Sequence, residues 1–152
     1  MESTEPEVET NPERLTYLVK LLELAIRAGI DRVLRDTELA TPQYTALGVL
    51  ARHPGMSAAD LGRRLFVSPQ AAHMTVLALE QRGLVSREIL PGNRRSLSVR
   101  LTPGGLGLLR RCDKLVDELD AAMLANLDQA TQELLRAAMW SCVEALKDAA
   151  AR

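Results

Sequence analysis

The sequence predicts a mainly α-helical fold with one small β-hairpin, and three observations lead to this α+β class. Apolar residues recur at helical spacing through most of the 152-residue chain. Aromatic residues make up only 3% of it, so Leu, Ala and Val must form the core, which favours helices over sheet. Residues 84–101 instead combine an alternating apolar pattern with strong turn residues, as a hairpin does.

The overall composition is typical of one globular domain, or of a small domain with a dimerisation arm. Of the residues, 47% are hydrophobic and 26% are charged. We expect a cytoplasmic protein without membrane contact, because no apolar run reaches the length of a membrane span and the acidic N-terminus is unlike a signal peptide. Residues 1–11 are polar and aperiodic, which predicts a disordered acidic tail.

Prolines that follow capping residues mark the first two helices. Asn11-Pro12 predicts the cap and first residue of a long helix that ends near Asp36. Thr41-Pro42 starts a second helix by the same chemistry, and His53-Pro54-Gly55 ends it.

The next two helices are short and are joined by a tight turn. Ser57–Asp60 is a sequence similar to a capping box, and it opens helix three. Phe66-Val67 forms the turn, Ser68-Pro69 opens helix four, and Gly83 ends that helix in a left-handed conformation. This is the helix-turn-helix arrangement, whose second helix enters the major groove of DNA.

A hairpin follows directly and is interpreted as a wing. Its strands are predicted at Val85–Leu90 and Ser96–Leu101, and Pro91-Gly92-Asn93 forms the turn between them. In the second strand, the alternation predicts that Leu97, Val99 and Leu101 lie on one face and Ser96, Ser98 and Arg100 on the other.

Two further helices complete the chain, one opened by Thr102-Pro103 and ending near Leu127, the other capped by Asp128. Helices one, five and six are longer and more apolar than a compact winged core could bury, which favours a symmetric homodimer over a monomeric bundle. We therefore predict a winged helix-turn-helix domain at residues 37–101 and a dimerisation region formed by residues 12–36 and 102–152.

Charge is distributed unevenly along the chain. The net charge is only −1, yet residues 57–101 carry seven arginines and three acidic residues, a net charge of +4. Arginine suits forked contacts to phosphate and guanine, so the asymmetry points to double-stranded DNA as the partner.

Helix four carries the side chains predicted to contact bases. Gln70, His73 and Met74 lie away from the packed face formed by Ala72, Thr75, Val76 and Leu79, and each can contact a base edge or a thymine methyl. Each also has a simpler interpretation, as a solvated, structural or covered residue. Ser57, Ser68 and Pro69 stand at helix starts, where phosphates bind.

Arginines of the hairpin are predicted to contact the DNA backbone and minor groove. Arg94 and Arg95 flank the turn, and a narrow minor groove attracts inserted arginine. Arg87 could reach a phosphate or brace the turn. Arg63 and Arg64 on helix three fit either backbone contacts or a solvated face. An arginine-rich turn alone is a common surface feature, and its position after a helix-turn-helix gives it meaning.

No catalytic, metal or cofactor site is predicted. His53 and His73 lie beside no nucleophile, and the sequence contains neither a glycine-rich phosphate loop nor metal-ligand spacing. Cys112 and Cys142 lie on apolar helical stripes, which favours buried thiols over a disulfide or redox switch.

The order of elements and several short motifs resemble the MarR family of bacterial winged-helix regulators, over nearly all of residues 13–150. The stretch from the hairpin into helix five is the most specific part. The matching residues are Thr41-Pro42-Gln43-Tyr44, Ser57-Ala-Ala-Asp-Leu61, Ser68-Pro69-Gln70, Leu79-Glu-Gln-Arg-Gly-Leu-Val85, Asn93-Arg94-Arg95, Val99-Arg-Leu-Thr-Pro103 and Gly105.

The resemblance implies an obligate dimer, formed through helices one, five and six, that binds a pseudo-palindromic operator. It also implies a small lipophilic or phenolic ligand that releases repression. Asn93 departs from the family, which usually has Asp there to hold the minor-groove arginine at the position of Arg95. The peroxide-sensing cysteine that some members carry near the start of helix one is absent, which argues against that mechanism.

The function predicted is therefore that of a dimeric, sequence-specific transcriptional regulator, a repressor released by a small ligand. Tyr17, Tyr44 and Trp140 could line a ligand crevice or belong to the core; of these, Tyr17 and Tyr44 are the candidate ligand contacts. The alternative is a winged-helix module for protein interaction or dimerisation that does not bind DNA.

Overall fold

The computed structural model describes residues 14–89, 92 and 97–150, and it has the predicted fold, mainly α-helical with a two-stranded hairpin. The tail predicted at residues 1–11 lies outside these residues. The elements are α1 Leu15–Val33, α2 Thr41–Arg52, α3 Ala58–Leu65, α4 Pro69–Gln81, β1 Val85–Ile89, β2 Leu97–Leu101, α5 Pro103–Leu124 and α6 Gln129–Ala150.

Both ends of α1 differ from the prediction. The backbone of Arg14 is extended and its carbonyl accepts the first helical hydrogen bonds, so α1 begins at Leu15, three residues after the predicted start. The cap and proline predicted at Asn11 and Pro12 lie outside the described residues. The helix ends at Val33. A 3-10 turn follows at Arg35–Thr37, and Glu38 then takes a left-handed conformation with φ 56°.

The start of α2 also differs in its capping. The N-cap is Ala40, whose backbone N–H donates to the side chain of Gln43 at 3.3 Å. Thr41 is the first helical residue, and its hydroxyl donates to Asp31 on α1. The prediction that Thr41 caps α2 is therefore wrong, because this hydroxyl joins α2 to α1 instead.

The predicted helix-turn-helix is confirmed in detail. Ser57 caps α3, and Ser68 caps α4 with Pro69 as the first helical residue. The turn passes through Phe66 in a left-handed conformation with φ 55°. At Gly62 the two helices approach closely, since an added Cβ would lie 3.2 Å from the Ala72 side chain.

Gly83 ends α4 as predicted. Its φ of +69° suits glycine, and two hydrogen bonds close the helix: Gly83 N–H to the Glu80 carbonyl and Leu84 N–H to the Leu79 carbonyl. This pair of bonds is a Schellman motif, and Leu79 and Leu84 are both buried beside it. The chain therefore reverses sharply from α4 into β1.

The hairpin is antiparallel, with Val85 opposite Leu101 and Ile89 opposite Leu97. On its other edge, β2 pairs with the α2–α3 connection, because Gly55 N–H donates to the Val99 carbonyl and Val99 N–H to the Met56 carbonyl. Ser98 is buried like its neighbour Val99, although the predicted alternation puts the two residues on opposite faces of β2. The Ser98 hydroxyl oxygen faces Gly55, since a Cβ added there would lie 3.2 Å away, so the same connection covers it.

The core of the helix-turn-helix and the hairpin also includes Leu34 and Cys112 from outside residues 37–101. It is aliphatic, as the shortage of aromatic residues predicts. Burying one such side chain contributes about 1.5–3 kcal/mol. The core side chains that are almost fully buried are Leu34, Leu47, Leu50, Leu61, Val76, Leu79, Val99 and Cys112.

The chain divides into two compact units, with the boundary inside α5 after Asp113. In the second unit, Asp128 caps α6 by accepting the Thr131 N–H at 2.8 Å, as predicted. All of α6 is described, and none of its side chains is buried. Cys142 is therefore exposed, and the prediction of two buried thiols is correct only for Cys112. Among the described helices, none has the length and apolarity needed to cross a bilayer.

Candidate nucleic-acid interface

The first turns of α4 present the predicted base-contacting residues together. Gln70, His73 and Met74 are all exposed, and Met74 leaves 57% of its surface accessible. The opposite face is buried through Ala72, Val76 and Leu79, which fixes the rotation of the helix. The face therefore carries an amide, an imidazole and a thioether, and neither arginine nor lysine.

The N-terminus of α4 is capped by Ser68 and open to solvent. The Ser68 hydroxyl oxygen accepts the Ala71 N–H at 3.1 Å, which fixes the first turn. Ser68 and Pro69 are exposed, so solvent or a ligand reaches this end. The first N–H groups of a helix lack partners within the helix and carry partial positive charge, so a phosphate oxygen would be stabilised here.

Ser57 caps α3 and is bonded more extensively within its own helix than Ser68 is. Its hydroxyl donates to the Asp60 carboxylate at 2.8 Å and accepts the Asp60 N–H at 3.1 Å. The Ser57 hydroxyl, followed by Arg63, holds the pKa of Asp60 below its usual range. Arg63 is thus paired with Asp60, while the neighbouring Arg64 is exposed and forms no ion pair within the described residues.

Arg87 lies against α4. Its Nε and Nη2 atoms are 2.9 and 2.6 Å from the same carboxylate oxygen of Glu80. The hydrogen bond that Arg87 donates to the Glu80 carboxylate raises the pKa of Arg87 above its usual value. Glu80 is not among the site residues predicted from the sequence. The signal for it was its charge, which is opposite to that of Arg87 seven residues later, beyond the chain reversal at Gly83.

The tip of the hairpin carries predictions that lie outside the described residues. These concern Asn93, Arg94 and Arg95, whose roles stay predictions. Gly92 is described and has φ +90°, which is consistent with the turn predicted there.

The start of α5 is bonded to the end of α4. The Thr102 hydroxyl donates to the Gly83 carbonyl at 2.6 Å and accepts the Gly105 N–H at 3.0 Å. Thr102 N–H donates to the Leu84 carbonyl at 3.1 Å. The C-terminal end of α4 is therefore fixed by the residues that open α5.

A second contact holds this end from the other side. Arg82 donates to the backbone carbonyls of Glu38 at 2.8 Å and Thr37 at 3.3 Å. Both carbonyls belong to the irregular segment between α1 and α2. The C-terminal end of α4 is thus tied to that segment as well as to α5.

The candidate ligand residues differ in their surroundings. The Tyr44 hydroxyl donates to the Asp113 carboxylate at 2.8 Å, which links α2 to α5, and its ring is half-buried. Tyr17 on α1 and Trp140 on α6 are 53% and 60% exposed, so neither is a core residue of the single chain.

Two short helices around a tight turn, an exposed polar face on the second helix and a hairpin that follows define a winged helix-turn-helix protein. This class places its second helix in the DNA major groove. The model of the MarR family matches residues 37–96.

Known proteins similar to this chain belong to the same family. The HTH-type transcriptional repressor Rv2887 of Mycobacterium tuberculosis strain H37Rv is 33% identical over 118 residues, 78% of this chain and 85% of that protein. The solved structure of MarR family protein Rv2887 with salicylic acid is 30% identical, with a TM-score of 0.70, covering 87% of this chain and 98% of that one. Its complex with DNA is 29% identical, with a TM-score of 0.69 over 84% and 96% of the two chains. This chain therefore belongs to the MarR family.

Proposed function

We propose that this protein is a dimeric, sequence-specific DNA-binding repressor that acts in the cytoplasm and is released by a small ligand. The observation that supports it most is the exposed face of Gln70, His73 and Met74, held by a buried face and by contacts at both ends of α4. A rigid, exposed helix face is what groove recognition needs. No catalytic activity is part of this proposal.

Base recognition falls to the exposed face of α4. Gln70 pairs with adenine through its amide, His73 bonds to a base edge, and Met74 packs against a thymine methyl. Because the face lacks arginine and lysine, these contacts discriminate between bases more than they add electrostatic affinity.

Backbone contacts supply the electrostatic part of the affinity. The N-terminus of α4, with Ser68 and Pro69, holds one phosphate, and the Ser57-capped start of α3 lies at another. Arg94 and Arg95 enter the minor groove, where negative potential is strongest. Exposed Arg64 adds a contact from α3, since it has a free guanidinium among the described residues.

A second copy of the chain covers the apolar surface that the single chain exposes. On α1, Leu15 and Leu18 are largely exposed, and on α6 so are Leu134, Trp140 and Leu146. A two-fold dimer would bury such faces and present two α4 helices to a pseudo-palindromic operator.

The ligand is proposed to be a phenolic or other aromatic acid that contacts Tyr17 and Tyr44. The relative Rv2887 has been solved with salicylic acid, which belongs to this chemical class. A phenol or carboxylate near Tyr44 would compete for the hydroxyl that Asp113 now accepts, and so act on the α2–α5 link.

The test is selection of bound duplexes from a random pool, with the wild-type protein and Gln70→Ala. We expect two inverted half-sites with centres about 10 base pairs apart, because two α4 helices would lie one helical turn apart. Gln70→Ala should relax the preference at one symmetric position and leave affinity for random duplex unchanged. Selection of a single or direct-repeat site, or no selection at all, would contradict the proposal and favour a module that does not bind DNA.

A further inference from the structure

The Glu80–Arg87 ion pair joins the recognition helix to the hairpin. Glu80 lies one residue before the C-terminal end of α4, and Arg87 lies in the middle of β1, opposite Val99 of β2. We propose that this bridge sets the position of the hairpin relative to α4, so that Arg87 is a positioning residue and not a phosphate contact. The inference rests on the proposed DNA-binding function and deepens it.

The geometry of the bridge restricts motion in more than one direction. Arg87 Nε and Nη2 both reach Oε2 of Glu80, at 2.9 and 2.6 Å. Two N–H groups of one planar guanidinium on one oxygen define an orientation as well as a distance. The two side chains are 21% and 33% exposed, so solvent screens their attraction less than it would a surface pair.

Other contacts hold the base and the outer edge of the hairpin, and the bridge joins its first strand to α4. A two-stranded hairpin is only marginally stable by itself in water. At its base, Leu84 N–H donates to the Leu79 carbonyl and Thr102 N–H donates to the Leu84 carbonyl, so these bonds hold the residue before β1. The bonds of Val99 to Gly55 and Met56 hold β2 on the outer edge and do not reach α4. Further along β1, the Glu80–Arg87 bridge is the ion pair, among the described residues, that joins this strand to α4. The arginines proposed to enter the minor groove follow β1 in the sequence, so the position of β1 sets where the segment that carries them begins.

The bridge also removes Arg87 from the charge available to DNA. Its guanidinium is already hydrogen-bonded and neutralised by a carboxylate that would itself repel a phosphate. Two models therefore make opposite predictions for Glu80→Gln. If Arg87 contacts phosphate independently, removing the Glu80 charge should strengthen DNA binding. If the bridge positions the hairpin, the same substitution should weaken operator binding.

The experiment measures binding to the selected operator and to a random duplex for wild type, Glu80→Gln, Arg87→Gln and the double variant. The concentration of active protein is determined for each variant by stoichiometric titration with duplex, well below the melting temperature. A variant that is less stable is therefore not mistaken for one that binds more weakly. The control is Glu88→Gln, which removes the same charge from an exposed residue of β1 that forms no ion pair in the described part of the chain.

We expect Glu80→Gln and Arg87→Gln each to weaken operator binding by about tenfold, the size typical of a charged hydrogen bond. The double variant should be no weaker than either single variant, because both remove the same bridge. Glu88→Gln should bind as tightly as wild type or slightly tighter. The slope of log affinity against log salt should stay the same in Arg87→Gln.

Two results would overturn the inference: Glu80→Gln binding the operator as tightly as wild type, or Arg87→Gln lowering the salt slope by about 0.9, as the loss of one phosphate contact would. If the wild-type protein selects no duplex, the proposed function fails instead, and hydrogen exchange then tests the bridge alone. Amides of β1 should exchange faster in Glu80→Gln than in Glu88→Gln, and equal rates would refute the bridge.

Discussion

At the scale of single residues, Gly105 shows how the absence of a side chain determines packing. A Cβ at this position would lie 1.9 Å from the Leu84 carbonyl oxygen and 2.9 Å from its carbon. Those are backbone atoms, and Leu84 is held by its own bonds to Leu79 and Thr102, so they have little freedom to move. Space, and not backbone conformation, therefore requires glycine here.

Gly105→Ala should lower the free energy of unfolding by about 3 kcal/mol or more, at the upper end of the cost of overpacking. The measurement is urea denaturation followed by circular dichroism. Gly107→Ala is the matched control, because a Cβ there has no neighbour within 4 Å. In a helix interior that control should be neutral or stabilising by about 0.5–1 kcal/mol. Equal effects of the two substitutions would show that α5 does not approach Leu84 so closely.

Local sequence does not separate the glycines that open α5, although the family resemblance includes Gly105 alone of the three. Gly104, Gly105 and Gly107 stand within one helical turn, and the distance to Leu84 distinguishes the middle one. Glu80 and Arg87 present the same difficulty, since their contact depends on the reversal at Gly83. By contrast, periodicity alone predicts that Gln70, His73 and Met74 share an exposed region, because a helix repeats a fixed rotation per residue.

At the scale of elements, the α3 capping box has a consequence for acid stability. Asp60 accepts hydrogen bonds from the Ser57 hydroxyl and backbone and is paired with Arg63. These partners lower the pKa of Asp60 in the folded protein below its usual 3.8. A carboxyl group whose pKa is lowered on folding stabilises the protein above its unfolded pKa. That contribution is lost as the pH falls through the folded pKa.

Asp60→Asn should therefore reduce stability at neutral pH by about 0.5–1 kcal/mol, the lower range for a weakened helix cap. The difference from wild type should shrink as the pH falls below 3.8, the ordinary value for this carboxyl group. Urea denaturation between pH 7 and about pH 3 measures it, over the interval in which carboxylates take up protons. A constant difference across the range would mean that the Asp60 charge does not stabilise α3.

Local capping chemistry explains which element boundaries are predictable. Ser57, Ser68, Gly83 and Asp128 act through bonds to residues within a few positions, and all four were predicted correctly. Thr41 has the same local signal, but its hydroxyl bonds to Asp31 across ten residues. Tertiary contacts of this kind, like the one that buries Ser98, leave no trace in local sequence.

At the scale of the whole molecule, α1 has two distinct faces. Leu15, Leu18 and Leu22 follow helical spacing on one face, and Leu18 leaves 48% of its surface exposed. Thr16, Lys20, Glu23 and Arg27 lie on the opposite face, where Glu23 pairs with both cations. An apolar stripe of this kind, exposed in the single chain, is typical of a surface that another protein chain covers.

Leu18→Glu should therefore disrupt the dimer, because it places a charge at the centre of the apolar stripe. Sedimentation equilibrium should give wild type twice the chain mass of 16.7 kDa and the variant a mass that falls on dilution. Thr16→Glu adds the same charge to the polar face and should stay dimeric. Circular dichroism shows whether Leu18→Glu gives folded monomers or an unfolded chain. Either of these results, together with an intact Thr16→Glu dimer, supports an interface on the apolar face of α1. If Leu18→Glu forms a dimer as tight as that of wild type, the interface lies elsewhere. If the affinity for the operator falls together with the fraction of dimer, DNA binding depends on dimerisation.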